Sequence, residues 1–265
     1  MSKLQVLCAT MGQNDFSIAE TMNIQTNVIF ANQNGLNKTE EKDFKGFKAR
    51  MISTDTKGVG INRNLALMLS DAEFCLLSDD DVRYDDGYER TVLKAFEDNP
   101  DADMLIFNLH NDEEFFVINK KFRVRHHNFM RFATYRIAFR TDIVKTRGIM
   151  FNTTFGGGCM YQAGEDTLFL RDCLNKGLKI YAVPVYIAEM KKERASTWFK
   201  GYDRKFLYDQ GAAHAAVSKR LARLLCLRLL LKKKQILKSA DMSFFEAYSV
   251  MKDGIRGYKQ SRGFE

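Results

Sequence analysis

Three consecutive aspartates, Asp79, Asp80 and Asp81, come directly after a short apolar run. Carboxylate oxygens at a strand end are hard ligands that suit Mg²⁺ or Mn²⁺, and such ions keep positions open for phosphate oxygens. A solvated acidic turn is the alternative, but it does not need an apolar strand before it. The triplet therefore predicts a divalent-cation site in which either Asp79 or Asp80 faces the ion together with Asp81. Because like charges this close repel, we also expect a positive group beside them.

A glycine-rich segment opens the helix that precedes this strand. Gly58 and Gly60 come just before the polar pair Arg63 and Asn64. Glycines at a helix N-terminus let the backbone approach a phosphate or a base, and the amide groups there favour anions. Since the pair lies in the first turn, we expect Arg63 to face the same sheet edge as the aspartates. An ordinary surface arginine is the alternative.

A second acidic pair, Glu165 and Asp166, follows Gly164 at the start of a later predicted helix. The helix dipole stabilises carboxylates at this position, and capping alone would explain the pair. The functional alternative is a general base, an aspartate beside the metal that takes a proton from an acceptor hydroxyl.

The elements that must position these residues alternate between strands and helices. Apolar runs predict strands near 4–9, 27–31, 50–53, 73–77, 103–108, 135–140 and 179–184, with helices near 16–23, 61–72, 86–98 and 167–175. Near-continuous apolar strands separated by helices are typical of an α/β fold with a mainly parallel sheet covered on both faces. Ligands of such sheets bind outside the carboxyl ends of the strands, where the three aspartates lie.

Composition narrows the class of protein. With 45% hydrophobic and 28% charged residues, the chain resembles a soluble globular protein. Its five cysteines include no CxxC pair, so neither a zinc site nor a disulfide framework is predicted. No apolar run reaches the roughly 18 residues that a membrane-spanning helix needs, and the N-terminus does not read as a signal peptide. We therefore expect a cytoplasmic location.

The basic character of the chain lies near its C-terminus. Residues 211–240 contain eight Lys and Arg and no acidic residue. The charge of this segment therefore equals the formal net charge of the whole chain, +8. The segment 217–238 is typical of a basic amphipathic helix with Val217, Leu221 and Leu224 on one face. Such a helix suits an anionic membrane surface, here the inner face of the plasma membrane. The alternative is packing on the rest of the chain or on a second subunit of a homodimer.

Taken in order, these motifs resemble a bacterial family 2 glycosyltransferase of the GT-A fold, a Rossmann-like nucleotide-diphospho-sugar transferase. The matching segments are VLCAT at 6–10, GVGINRNLA at 58–66, FCLLSDDD at 74–81, FGGG at 155–158 and GEDTLF at 164–169. The resemblance implies inverting transfer of a sugar, usually from a UDP-sugar, to a glycan or lipid-linked acceptor in surface polysaccharide synthesis. It also implies a catalytic domain at 1–190 and a helical extension at 191–265.

The same resemblance assigns site residues. The donor-binding residues are Thr10, Asn32, Gln33, Arg63, Asp79, Asp80, Lys191 and Arg194. The acceptor-binding residues are Gly157, Gly158 and Trp198. Asp79 and Asp81 match the DxD element that holds Mn²⁺ or Mg²⁺, and Asp166, with Glu165 beside it, matches the acceptor-activating base. Related enzymes often carry a histidine ligand after the last strand; here either Glu189 replaces it or the aspartates act without it.

Two other functions are alternatives, but the sequence lacks the features that each of them would require. A nucleotidyltransferase would carry a glycine-rich loop with a lysine after the first strand, but residues 10–14 contain no basic side chain. A nucleic-acid-binding protein would interleave aromatic and basic residues, whereas the basic C-terminal segment has leucines in those places.

Overall fold

The computed structural model describes residues 3–44, 46–112, 116–191, 201–232 and 234–261. Those residues form one ten-stranded sheet with helices on both faces. The strands are β1 (Leu4–Met11), β2 (Asn27–Gln33), β3 (Lys38–Phe44), β4 (Phe47–Thr54), β5 (Phe74–Asp79), β6 (Val82–Tyr84), β7 (Met104–His110), β8 (Phe122–Arg123), β9 (Ile137–Arg140) and β10 (Ile180–Met190). The helices are α1 (Ser17–Thr21), α2 (Val59–Leu69), α3 (Tyr88–Glu97), α4 (Thr141–Thr146), α5 (Glu165–Asn175), α6 (Arg204–Val217), α7 (Ala222–Lys232), α8 (Lys234–Ser239) and α9 (Phe244–Ser261).

The strand order explains how distant motifs reach one edge of the sheet. The order is β3-β4-β2-β1-β5-β9-β7-β10-β6, with β8 against β10. Strands β4, β2, β1 and β5 run parallel, and β10 runs parallel to β7. Strand β9 lies antiparallel between β5 and β7, as expected for a strand that re-enters the sheet. The predicted α/β fold with a mainly parallel sheet is confirmed.

The core lies in two layers because neighbouring side chains of a strand point to opposite faces. In β1, Val6 and Cys8 join the layer that contains α3, whereas Leu7 joins the layer that contains α2 and α5. All three side chains are essentially inaccessible to solvent. A strand buried on both faces favours apolar residues at successive positions, which is why residues 6–9 of β1 form an uninterrupted apolar run.

Three strands, β3, β6 and β8, were not predicted, and β10 extends beyond its predicted end. Strand β3, Lys38–Phe44, was not predicted because its charged, exposed residues lack an apolar face. It lies at the edge of the sheet, where charged side chains discourage pairing with another chain. Strand β10 continues past Pro184 to Met190, and its pairing with β7 shifts register between Ala182 and Tyr186. A proline is tolerated at such an irregularity because no ladder bond is required of it.

The C-terminal helices pack against the loop that leads into α5. The buried Asp209 of α6 accepts a hydrogen bond from the main-chain amide of Gln162 at 2.9 Å. A Cβ on Gly164 would lie only 2.8 Å from the Ala213 Cβ, so α6 and this loop are in close contact. The division of the chain at 190 stays a prediction, and α6 contacts the predicted catalytic part directly.

The single helix predicted over 217–238 is wrong. Helix α6 ends before the extended residue Ser218, and α7 begins at Ala222. The buried face of α7 consists of Ala222, Cys226 and Leu230, which recur at helical spacing. Among the helices of the described residues, none has the length and apolar character required to cross a bilayer.

Candidate functional site

A buried arginine in the first turns of α2 joins the two acidic motifs. Arg63 is 4% exposed, and its Nη2 donates to Asp79 Oδ1 at 2.7 Å. Its Nη1 donates to Asp166 Oδ1 at 3.1 Å and lies 3.7 Å from Glu165 Oε1. The guanidinium carbon also lies 5.4 Å from the centre of the Phe151 ring. The positive group expected beside the aspartates is therefore Arg63.

Two asparagines that flank Arg63 hold α2 against β2 and against the main chain of Phe151. Asn62 Nδ2 donates to the Ala31 carbonyl at 3.0 Å. Asn64 Nδ2 donates to the Phe151 carbonyl at 2.9 Å, and its Oδ1 accepts from the Phe151 amide at 2.7 Å. Because both neighbours are engaged in this way, the turn that carries Arg63 is held at one orientation towards the carboxylates.

The charges of this cluster shift the pKa values of its members. Burial lowers the pKa of the Arg63 guanidinium, but Asp79, Asp166 and Glu165 raise it by more. Burial, and then the charge of Asp166, raises the pKa of Glu165 to about 7. Burial also raises the pKa of Asp166, although Arg63 opposes that shift. Burial and the repulsion of neighbouring carboxylates therefore raise the pKa values of both Glu165 and Asp166, and raised carboxyl pKa values are common at catalytic sites.

Asp166 is held from two sides and still faces solvent in part. Thr134, a buried residue just before β9, donates its hydroxyl to Asp166 Oδ1 at 2.8 Å. The Asp166 side chain is 28% exposed and that of Glu165 is 17% exposed. A hydroxyl-bearing ligand can therefore reach Asp166. Thr134 was not among the predicted site residues, because its role depends on tertiary packing.

The three consecutive aspartates have different partners. Asp79 bonds the buried arginine, and Asp80 Oδ2 accepts from the Thr10 hydroxyl at 2.7 Å. The main-chain carbonyl of Asp81 accepts from the Lys191 amide at 2.9 Å. Thr10, at the end of β1, thus lies beside the acidic triplet at the carboxyl edge of the sheet. The main chain of Lys191, a predicted donor-binding residue, therefore lies next to the triplet.

By the resemblance, Thr10, Asn32 and Gln33 would form a wall that lines the base of the donor, and hydrogen bonds to neighbouring loops hold these side chains. Asn32 is fully buried, accepts from the Gln13 amide at 3.1 Å and donates to the Gln13 carbonyl at 2.8 Å. Gln33 Oε1 accepts from the Gly58 amide at 3.1 Å. Gln13 Nε2 donates to Thr10 Oγ1 at 3.1 Å. Asn32 and Gln33 therefore shape the wall, and Gln13, which sequence reasoning missed, belongs to it.

The glycine run brings the starts of α2 and α5 together. Gly156 has a φ of 104°, and a Cβ there would lie 2.6 Å from Val59 Cγ1 and 2.9 Å from Glu165 Cδ. The Gly157 carbonyl accepts from the Val59 amide at 2.9 Å. Gly158 also has a positive φ, of 80°. Since a side chain at Gly156 would push the starts of the two helices apart, this glycine is required for Arg63 to reach the Glu165 turn.

Glu189, the residue predicted as a possible further metal ligand, contacts Arg83 and Asn111. Glu189 Oε1 lies 3.8 Å from Arg83 Nε, and its Oε2 accepts from Asn111 at 3.5 Å. Arg194 and Trp198 lie outside the described residues. Across the part of the chain that the structure describes, no three His, Cys, Asp or Glu side chains come together as a metal site. Ligation by the aspartates alone is therefore the alternative that we carry forward.

Comparison with known proteins agrees with this geometry. The model of Glycosyl transferase family 2 matches residues 26–162. Similar solved structures include S. aureus TarS 1-349 in complex with UDP-GlcNAc, with a TM-score of 0.60 and 15% identity over 98% of this chain and 92% of that one. A structure of S. aureus TarS gives a TM-score of 0.54 and 16% identity over 97% of this chain and 43% of that one. At these identities the likeness shows the GT-A fold alone. No curated protein matches the sequence.

The family match contains most of the site. It includes Arg63, the three aspartates and the glycine run, and it ends just before Asp166. It also covers more than half of the chain. The protein therefore belongs to glycosyltransferase family 2.

Proposed function

We propose that the protein transfers a sugar from a UDP-sugar to a hydroxyl group of a glycan or lipid-linked acceptor, with inversion at the anomeric carbon. Membership of family 2 makes it a glycosyltransferase that uses nucleotide-sugar donors. The observation that carries the finer proposal is the bridge by which Arg63 joins Asp79 to Asp166. The likeness to TarS, whose structure contains UDP-GlcNAc, supports UDP as the first nucleotide to test.

In the proposed reaction, Asp166 acts as the general base. The acceptor hydroxyl gives its proton to the Asp166 carboxylate while the hydroxyl oxygen bonds to the anomeric carbon. The bond from that carbon to the diphosphate oxygen breaks, and the nucleoside diphosphate leaves with the electron pair. Burial makes the carboxylate more basic, since it raises the pKa of Asp166, and Thr134 with Arg63 holds its orientation.

A divalent cation is part of the proposal and is assigned to the aspartates. Mg²⁺ is usually held by one or two carboxylates together with substrate phosphates, so a site without a third protein ligand fits it. Asp81, with Asp79 or Asp80, would supply the carboxylates. When bound, the ion offsets the charge that develops on the leaving diphosphate. Thr10 and Arg63 orient the carboxylates of the triplet through direct hydrogen bonds.

Donor binding and transfer can be measured separately. A panel of UDP-sugars and GDP-sugars is added to the protein with and without Mn²⁺, and the melting temperature is recorded. We expect at least one UDP-sugar to raise the melting temperature, and the shift to require the metal. The proposal fails if no nucleotide sugar changes the melting temperature in the presence of Mn²⁺.

The variant Asp166→Asn tests the role of the base. It should keep the metal-dependent melting shift and lose about 10²- to 10⁴-fold in transfer rate, the usual contribution of a general base. Asp172→Asn, on the same helix at a residue paired with Arg171, is the matched control and should keep its rate. Loss of donor binding in Asp166→Asn, or an unchanged rate, would refute the assignment.

A further inference from the structure

The outward face of α7 combines leucines with positive charges. Opposite its buried face lie Leu224 and Leu231, and Leu221 comes just before the helix; these three side chains are 61%, 63% and 52% exposed. Arg228 and Lys232 lie exposed on the same side of the helix. The sequence had suggested leucines on one face and cations on the other. Because Ala222 and its helical neighbours face inward, both kinds of side chain point outward together.

A basic cleft adjoins this face. Its volume is about 190 Å³, and it lies between α7 and α9. Four of its five lining residues are cationic: Arg223, Lys252, Arg256 and Lys259, with Ile255 as the fifth. Asp253 pairs with Arg256 and offsets part of the charge. Arg223 of α7 lines the cleft, and we call the leucine-bearing face of α7 together with this cleft the α7 surface.

Charge decides which kind of partner fits the α7 surface. Residues 211–240 contain no acidic side chain, so a second copy would place cations against cations. The spacing of Leu221, Leu224, Arg228 and Leu231 would suit a helix pair, but that pairing would bury Arg228 without an opposite charge. An anionic bilayer surface accepts leucines among its acyl chains and cations at its phosphates.

We propose that the α7 surface docks the protein on anionic lipid bilayers. The exposed leucines enter the interfacial region, and the cations of α7 and the basic cleft contact lipid phosphates. The protein then lies on the membrane without crossing it. The proposal is independent of the sugar-transfer reaction, since it uses no residue of the Arg63 site.

Vesicle flotation tests the proposal with the full chain. Phosphatidylcholine vesicles with and without phosphatidylglycerol are the probes, at low and high salt. We expect binding only with phosphatidylglycerol and weaker binding at high salt, because salt screens exposed charges. Arg228→Gln with Lys232→Gln should lower the affinity by about 25-fold, given the usual contribution of each surface cation. Leu224→Ser with Leu231→Ser should lower it at least about fivefold at every salt concentration.

Matched controls distinguish binding through the α7 surface from binding through the overall positive charge of the protein. Arg90→Gln with Lys120→Gln removes two exposed cations elsewhere, and Leu36→Ser removes a leucine that is 56% exposed. Both should bind vesicles as the unchanged protein does. Equal loss in the controls overturns the proposal, and so does vesicle binding that survives both pairs of changes. A gel shift with nucleic acid but no vesicle binding, or a dimer lost in the leucine variant without vesicle binding, also overturns it.

Discussion

Two buried arginines of this protein, Arg63 and Arg136, are alike in burial and differ in the groups they bond. Arg63 is 4% exposed and Arg136 is 1% exposed. The first donates to the carboxylates of Asp79 and Asp166, two side chains that are themselves partly exposed. Its partners are therefore charged groups that a ligand can also contact.

The second arginine bonds mostly to uncharged oxygens. Arg136 donates to the main-chain carbonyls of Phe107 at 2.8 Å and Phe116 at 3.1 Å, and to Asn108 Oδ1 at 2.9 Å. The carboxylate of Asp112 lies farther away, at 3.9 Å from its Nε. Arg136 therefore holds β7 and the chain after it in place. Burial alone therefore does not show what a buried arginine does. Its partners do: an arginine bonded to partly exposed carboxylates belongs to a functional site, and one bonded to uncharged oxygens belongs to the structural scaffold.

The largest effect is expected at the scaffold arginine. Arg136→Met should lower the free energy of unfolding by about 3 to 5 kcal/mol, because several buried acceptor oxygens lose their donor. Since those oxygens are uncharged, although the Asp112 carboxylate nearby is titratable, the loss should change less across neutral pH than the loss expected at Arg63. Denaturant unfolding at two pH values checks both statements. A loss below about 1 kcal/mol would place Arg136 outside the scaffold.

A smaller and pH-dependent effect is expected at the site arginine. Arg63 lowers the pKa of Glu165 and Asp166, so Arg63→Met should raise both. When folding raises the pKa of a carboxyl group, the free energy of unfolding of the protein falls as the pH rises through that pKa. We therefore expect a loss of about 2 to 4 kcal/mol at about pH 8, and less at about pH 5. Arg63→Lys, which keeps the charge, is the control and should recover part of the loss. A pH-independent loss would contradict the distinction between the two arginines.

The sequence predicted the parts of this site and not how they bond. The apolar runs and the glycines before α2 and α5 are local signals, so the sheet edge and its two acidic motifs were predictable. The bridge from Arg63 to Asp166 spans 103 residues, and the bond from Thr134 to Asp166 spans 32. Neither has a local signal. Strand β3 was not predicted for a related reason. It is stabilised by its pairing with β4, which its charged, exposed residues do not indicate.

The smallest effect is expected from neutralising one carboxylate of the site. Folding raises the pKa of Glu165 from 4.5 to about 7, so the ionised form is disfavoured in the folded protein. Its contribution to stability is complete below the unfolded pKa and declines as the pH rises towards 7. Glu165→Gln should therefore increase the free energy of unfolding by about 1 to 3 kcal/mol at about pH 8. The gain should shrink as the pH falls towards about 5.

Chemical unfolding of the Glu165→Gln variant and the unchanged protein across this range measures the difference directly. Glu97→Gln, at an exposed glutamate of α3, is the matched control and should show no such trend. An increase in the free energy of unfolding for Glu165→Gln but not for Glu97→Gln would mean that the ionised Glu165 carboxylate destabilises the folded protein. No such carboxylate is expected to act around Arg136. A Glu165→Gln variant that is less stable at high pH would show instead that the carboxylate is needed to balance Arg63.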